Sequence, residues 1–300
     1  MRVAFVTTTD LSAIHDDVDL PVQEAAFAAA GIELQLLAWE DRSAQWDAFD
    51  LVVVRSPWNY VEHLDEFRSW LSDRRTNQRV HNPVSVIEWN LDKRYLNDLA
   101  DRGVPTVPTR FVDSIDEFHA AIEAISEAEV VVKPSISAGS RLTGRFRLGD
   151  PATEELARRI LAGGQAVMVQ PYAARIDAEG EIGTVVFDGE ISHSFRKAAL
   201  LDRNGALVGG EYREEISAFD APEDVVELVG HARRAATAIA RERNWIEEGH
   251  ELLYGRYDAI RLDDGSPALL EAELFEPCFF LSTSPGAAQR FVRAVTARVG

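Results

Sequence analysis

Three carboxylates near the C-terminus have the spacing to hold a divalent cation. Glu271 and Glu273 are two positions apart, so in an extended strand their side chains share one face. The turn Asp263-Asp264-Gly265-Ser266 folds the preceding strand back and brings Asp258 alongside them. Like charges on a buried face are costly unless a cation neutralises them. The apolar neighbours Leu269, Leu270, Ala272, Leu274 and Phe275 argue for burial over a solvated acidic face. An all-oxygen ligand set suits Mg2+, which takes carboxylates together with nucleotide phosphates. Glu276 is acidic but falls out of the period and stands as a secondary candidate. Arg256 points to the same face as Asp258. Its guanidinium could pair with an acid or stabilise charge on a moving phosphoryl group, and both readings stay open.

Lys133 ends the run Val130-Val131-Val132-Lys133-Pro134, ahead of Ser135-Ile136-Ser137-Ala138-Gly139-Ser140. A lysine leaving a buried strand beside a small-residue loop can set a cation against phosphates, with backbone N–H groups close by. An exposed strand-end lysine before an ordinary turn is the other reading. The Gly-x-x-x-x-Gly-Lys-Ser/Thr pattern is absent. In Ser192-His193-Ser194-Phe195-Arg196-Lys197, the terminal Arg-Lys could contact phosphate or carboxylate, while His193 lacks triad partners and reads as a solvated polar position. Arg55-Ser56-Pro57-Trp58-Asn59-Tyr60 places an arginine after a buried strand and two aromatics in a turn, where core stacking and substrate contact explain Trp58 equally.

The elements that must position these groups follow from periodicity. Strands are expected at 2–7, 32–38 and 51–54, with helices at 19–30 and 61–74, which makes a small α/β sheet with parallel elements. The turn after the first strand, Thr7-Thr8-Thr9-Asp10, has no glycine, which excludes a dinucleotide fingerprint. A helix at about 85–101 precedes the stiff run Val104-Pro105-Thr106-Val107-Pro108-Thr109. An α+β lobe is expected next: strand 109–112, helix 115–125, strand 129–133, a loop at 135–144, helix 151–162 and strand 166–172. Asp188-Gly189 between alternating runs signals a hairpin. The longest helix is expected at 222–243, then strands 252–262 and 267–274 and a last helix at 286–298.

Fifty acids against 31 bases give a formal charge of −19, which repels polyanions, so nucleic acid and anionic membranes are poor partners. The lone Cys278 sits among apolar neighbours and reads as a buried, inert thiol in a reducing cytoplasm. No segment has the features of a signal peptide or the roughly 18–20 apolar residues of a span.

In this order the parts resemble the ATP-grasp superfamily. An early lysine, Lys93, precedes a Gly-Val-Pro-x-x-Pro-Thr segment. A second lysine, Lys133, ends a strand before a small-residue loop, and a hinge strand Val167-Met168-Val169-Gln170-Pro171-Tyr172 follows. The chain finishes with Arg-x-Asp and Glu-x-Glu on adjacent strands. The strings at 55–60 and 192–197, with Glu271-Ala272-Glu273-Leu274-Phe275-Glu276-Pro277, are similar to the glutathione-synthetase and ribosomal-modification branch. They are similar, too, to the cyclo-ligases that make D-cycloserine from O-ureido-D-serine.

The resemblance implies a mixed α/β and α+β chain with the ATP-grasp fold. A Rossmann-like pre-ATP-grasp domain would span 1–84, and lobes at 85–172 and 173–300 would clasp ATP. Lys93 and Lys133 would grip phosphates, and the hinge of Gln170, Pro171 and Tyr172 would hold adenine, with Ser140 and Asp177 completing the nucleotide set. Asp258, Glu271 and Glu273 would bind one or two Mg2+, while Arg256, Lys133 and Lys197 serve the reaction. Arg55, Trp58, Asn59, His193 and Arg196 would meet a small amino-acid-like substrate. Many members carry Glu-x-Asn where this chain has Glu271-Ala272-Glu273, which puts the usual coordination geometry in doubt. The implied activity is a carboxylate–nitrogen ligase, either ring-closing or joining two molecules. A non-catalytic nucleotide module and a kinase are the competing classes. The loops 135–144 and 202–215 are expected lids, and a homodimer stays open.

Overall fold

The computed structural model describes residues 1–77, 79–199, 206–207 and 215–299. β1 (Arg2–Thr7), β2 (Glu33–Ala38), β3 (Leu51–Val54) and β4 (Val80–His81) form a parallel sheet in the order β2-β1-β3-β4. β5 (Arg110–Val112), β6 (Glu129–Pro134), β7 (Thr143–Arg147) and β8 (Val167–Pro171) build a second, antiparallel sheet. β9 (Glu181–Phe187) and β10 (Glu190–Lys197) open a third, as the hairpin signal at 188–189 requires. β11 (Ala206–Leu207) returns to the second sheet beside β7. β12 (Ile216–Ala218), β13 (Tyr254–Arg261) and β14 (Pro267–Glu273) complete the third in the order β12-β10-β9-β13-β14.

Parity along the strands decides what each sheet buries. In the second sheet Val130, Val132, Phe146, Val167 and Val169 pack under the helices Ile115–Glu123 and Pro151–Ala162 through Phe118, Leu156 and Ile160. Ser114 and Asp150 start those helices by accepting backbone N–H groups in the first turn. In the third sheet Ile182, Val186, Tyr257 and Ala272 pack under the long helix Glu223–Glu242 through Leu228, Val229, Ala232, Ala236 and Ile239. In both of these sheets the alternate residues, among which the charged candidates lie, point to the opposite face.

The expected helix at 85–101 is two helices, Val84–Leu91 and Tyr95–Ala100. Asp92 turns extended and its side chain accepts the Arg94 N–H, while the Lys93 N–H reaches the Ser135 carbonyl at 2.8 Å. Lys93 thereby sits at the break. The loop expected at 135–144 is shorter, because Thr143–Arg147 is a strand that its glycine and two arginines conceal from a periodicity reading. A helix at Leu11–Asp16, capped by Asp10, occupies a stretch that carries no periodic signal. The stretch 202–215 lies outside the described residues apart from 206–207 and 215. Among the described residues no helix is long and apolar enough to cross a membrane.

Candidate active site

The hairpin of β13 and β14 sets Arg256 opposite Glu273 and Asp258 opposite Glu271, with a bulge immediately after Asp258. β14 is an edge strand, and side chains satisfy its open edge. Tyr95 Oη accepts the Ala272 N–H, Asn90 donates to the Ala272 carbonyl, and Asn90 Oδ1 accepts the Leu274 N–H, each at 2.8 Å. These three bonds set the height of Glu271 and Glu273 above the sheet.

Every acid on this face meets a cation. Arg256 donates Nε to Asp258 Oδ1 at 2.9 Å and Nη2 to Asp258 Oδ2 at 2.8 Å, and also bonds Glu273. Lys197 Nζ lies 2.8 Å from Asp258 and 2.9 Å from Glu181. Lys93 Nζ lies 3.1 Å from Glu271 and donates to the Ser137 carbonyl at 3.0 Å. Burial would raise the Asp258 carboxyl, but the Arg256 and Lys197 charges outweigh it and hold it at about 2. Burial likewise opposes Glu271, whose carboxyl is lowered by Lys93 and Lys133. Glu273 goes the other way: burial, with repulsion from Glu271 and Asp258, exceeds the pull of Arg256 and lifts it to about 7.

Lys133 comes from the second sheet and turns toward this cluster. It is only 8% exposed and has neither a hydrogen-bond nor an ion-pair partner among the described residues. Burial lowers its ammonium, the attraction of Glu271 works against that, and the repulsion of Lys93 adds to it. Beyond it on the same sheet, Gln170 donates to Thr109 Oγ1 at 2.7 Å, and Pro171 ends β8. Tyr172 donates to Asp177 at 2.6 Å, and Arg145 lies 3.5 Å over the Tyr172 ring while pairing with Asp177 and Glu129. Ser140 takes a left-handed backbone (φ 55°) in the loop whose Ile136 and Ala138 pack against the N-terminal core.

Several expected contacts lie elsewhere. Arg55 is fully buried: it donates to the Pro277 carbonyl at 2.9 Å, lies 3.8 Å from Asp19 and stacks 3.9 Å over Phe279. It holds the chain after β14 in place and has no surface left for a substrate. Arg196 stacks 3.9 Å over Phe219, on the face opposite Lys197 and the acids. Strand parity lets only one of two adjacent residues face the cluster. His193, read as solvated, is 7% exposed and bonds the Phe279 carbonyl at 2.8 Å. Burial, with nearby Arg290, lowers its imidazole to about 4. Asn59 is tied to Glu40 at 2.6 Å and Trp39 at 2.8 Å, on the N-terminal sheet. Trp58 is partly exposed and donates to the Glu276 carbonyl at 3.0 Å.

Sequence reasoning missed Glu181, Arg145, Asp19 and Tyr60. Glu181 pairs with Lys197, and Tyr60 bonds the Glu276 carboxyl. Asp19 accepts the N–H groups of Phe279, Phe280 and Leu281. Asp19 and Tyr60 act on partners 216 or more positions away, which no local spacing reveals, and the register shift within the β9–β10 hairpin hides the pairing of Glu181.

A curated relative, the cycloserine biosynthesis protein DcsG of Streptomyces lavendulae, is 36% identical to this chain over 302 residues, covering 97% of each. The chain belongs to the D-cycloserine synthetase family. The model of that family's N-terminal domain, "D-cycloserine synthetase DcsG, N-terminal domain", matches residues 3–82. The crystal structure of D-cycloserine synthetase DcsG superposes with a TM-score of 0.89 at 34% identity over the whole of both chains. D-alanine–D-alanine ligase from Bacillus anthracis (TM-score 0.69, 15% identity) covers all of this chain and 97% of its own. A RimK-domain ATP-grasp protein from Sphaerobacter thermophilus (0.66, 17%) covers 99% of this chain and 100% of its own. This family member therefore has the ATP-grasp fold, with the mixed α/β architecture expected from its sequence.

The oxygen donors of this family member fit Mg2+ in kind, with Glu271 and Glu273 on one face and their side chains 23% and 24% exposed. Asp258 is instead enclosed by Arg256 and Lys197. Among the described residues no three His, Cys, Asp or Glu side chains gather as a metal cage.

Proposed function

We propose that this chain is an ATP- and Mg2+-dependent ligase that joins a carboxylate to a nitrogen through an acyl phosphate on a small amino-acid-like substrate. Family membership favours ring closure of O-ureido-D-serine to D-cycloserine as the reaction. The observation that carries this reading is Lys133, a buried cation with no anionic partner among the described residues, facing the acids across the space between two sheets. A desolvated, unpaired ammonium is costly, and a phosphate group would offset that cost. In this reading residues 1–84, 85–172 and 173–300 act as three lobes, with nucleotide between the last two.

Lys93, Lys133 and Lys197 would surround the phosphates. Gln170, Pro171 and Tyr172 would border the adenine, and the Ser140 loop with the Asp177–Arg145 pair would close that end. Glu271 and Glu273, with Asp258 behind them, would hold Mg2+, which when bound offsets negative charge on the β- and γ-phosphates. A free carboxylate resists attack by nitrogen because oxide is a poor leaving group, and phosphorylation converts that oxygen to phosphate. Arg256, already fixed by Asp258 and the Cys278 carbonyl, needs no reorganisation to stabilise the charge that develops. Nitrogen attack on the acyl carbon then breaks the carbon–oxygen bond and releases phosphate; in the ring-closing case the carbamoyl group on that nitrogen is lost by hydrolysis as carbon dioxide and ammonia. Trp58 stands at the substrate side. The surface charge and the single thiol suit a cytoplasmic setting.

The test is ADP release across amino acids, short peptides and aminooxy or ureido amino acids, with mass spectrometry of the products. A new amide or ring plus free phosphate supports the ligase. A stable phosphoester would overturn it in favour of a kinase.

A further inference from the structure

We infer that Glu276, held against Tyr60 just beyond the acidic strand, is the contact for the ammonium group of the amino-acid substrate. The inference rests on the ligase reading above and adds a specificity-determining residue to it.

The segment that carries Glu276 is fixed atom by atom. Five successive carbonyls are each taken by a side chain from another element. Phe275 O accepts from Tyr254 Oη at 3.0 Å, Glu276 O from Trp58 Nε1 at 3.0 Å, and Pro277 O from Arg55 Nη1 at 2.9 Å. Cys278 O accepts from Arg256 Nη1 at 3.0 Å and Phe279 O from His193 Nε2 at 2.8 Å. The Asp19 carboxylate then takes the N–H groups of Phe279, Phe280 and Leu281. With no ladder to lie in, residues 275–281 are positioned by side chains of the N-terminal sheet and of β10 and β13.

Within that rigid segment the Glu276 side chain is left half used. Oε1 accepts the Tyr60 hydroxyl, whereas Oε2 has no partner although the residue is only 8% exposed. Buried polar atoms are almost always paired, and an orphan calls for an explanation. The neighbouring acids have theirs: Glu271 has Lys93, Glu273 has Arg256, and Asp258 has both Arg256 and Lys197. Glu276 makes no ion pair among the described residues; burial and the repulsion of Glu273 and Glu271 push its carboxyl up, against the Tyr60 hydrogen bond and the attraction of Lys93, and an ammonium beside Oε2 would favour the ionised form. A substrate ammonium would bond Oε2 in a charge-assisted hydrogen bond. A metal ion is a poorer occupant, since Mg2+ requires several oxygens in octahedral array and Oε1 is already committed to a phenol.

The experiment is calorimetric titration of the full chain with O-ureido-D-serine and with its analogue bearing hydrogen in place of the α-amino group. Wild type is expected to bind the amino compound about ten-fold or more tightly than the analogue. Glu276→Gln, which keeps the shape and can still accept from Tyr60, should abolish that preference while leaving Mg-ATP affinity within about two-fold. Should Glu276→Gln fail to fold, Tyr60→Phe should reduce the preference partway. A wild-type preference retained in a folded variant, no preference in wild type, no binding of either compound, or a loss confined to Mg-ATP would each overturn the assignment. The ligase reading fails separately, through absence of substrate-stimulated ADP release in wild type.

Discussion

Lys197 Nζ lies 2.8 Å from Asp258 Oδ2, joining β10 to β13 across the intervening β9, with the two side chains 5% and 3% exposed. The same ammonium holds Glu181 on β9 at 2.9 Å, so one cation ties three strands together on the face that carries the acids. Removing one partner of a buried pair strands the other charge, at a cost of about 3–5 kcal/mol. Arg256 still compensates Asp258, which puts Lys197→Met at the low end of that range and leaves Glu181 as the exposed weakness. Thermal unfolding should show the loss, and ADP formation should vanish in the fraction that remains folded. A variant that is both as stable and as active as wild type would remove Lys197 from the site.

Lys133 predicts the opposite balance. Its ammonium is buried with no hydrogen-bond or ion-pair partner among the described residues, so Lys133→Ala removes a poorly compensated charge and should leave the free protein as stable as wild type or more so. What should disappear is stabilisation by nucleotide. Wild type at about 100 times the dissociation constant of Mg-ATP gains about 2.7 kcal/mol, and the variant should gain almost none at that concentration. A thermal-shift series with and without Mg-ATP measures both halves. Glu271→Gln, which releases Lys93, should lose ADP formation too. An undiminished nucleotide shift in Lys133→Ala would show that the phosphates lie elsewhere.

Asp19 sits far from the acids in sequence but governs the segment that follows them. Asp19→Ala leaves three buried N–H groups without acceptors, and Arg55 loses its nearest carboxylate. The loss should be about 3 kcal/mol or more. If Glu276 contacts substrate, KM for the amino acid should rise as that segment relaxes, with KM for ATP changing little. Steady-state kinetics on the purified variant separates the two, and equal changes in both constants would argue for general loosening.

How much of this was legible depended on whether the signal was local. Glu271 and Glu273 were readable because period-two spacing and a tight turn suffice to put them with Asp258 on one face. The bulge after Asp258 was not readable, although it sets which residues face each other beyond that point. Arg196 and Lys197 show the limit most clearly. Adjacent strand residues must face opposite ways, but choosing between them required the register of Lys197 against Glu181. Arg55 was misread because a charged residue after a buried strand suggests function. Its real partner is a chain segment 222 positions away, and its stacking on Phe279 has no sequence signature. The helix break at Lys93 was hidden for a similar reason, since residues 84–100 are periodic throughout and the interruption comes from Ser135.

His193 gives the pH dependence. Its Nε2 bonds the Phe279 carbonyl, which can only accept, so Nε2 carries the proton. Nδ1 lies 2.9 Å from Ser192 Oγ, which also accepts from Arg290 Nε at 2.8 Å and can donate its own proton to the neutral ring. Burial next to Arg290 holds the folded value at about 4. The unfolded value is about 6.5. Between these values the unfolded chain binds a proton that the folded chain refuses, so stability is intact above about pH 6.5 and declines as pH falls toward about 4. His193→Gln can still donate to the Phe279 carbonyl but has no titrating ring, so its stability should fall less over that interval. Urea unfolding of both proteins at about pH 7 and about pH 5 provides the comparison. Equal losses in the two would mean that some other group carries the acid sensitivity.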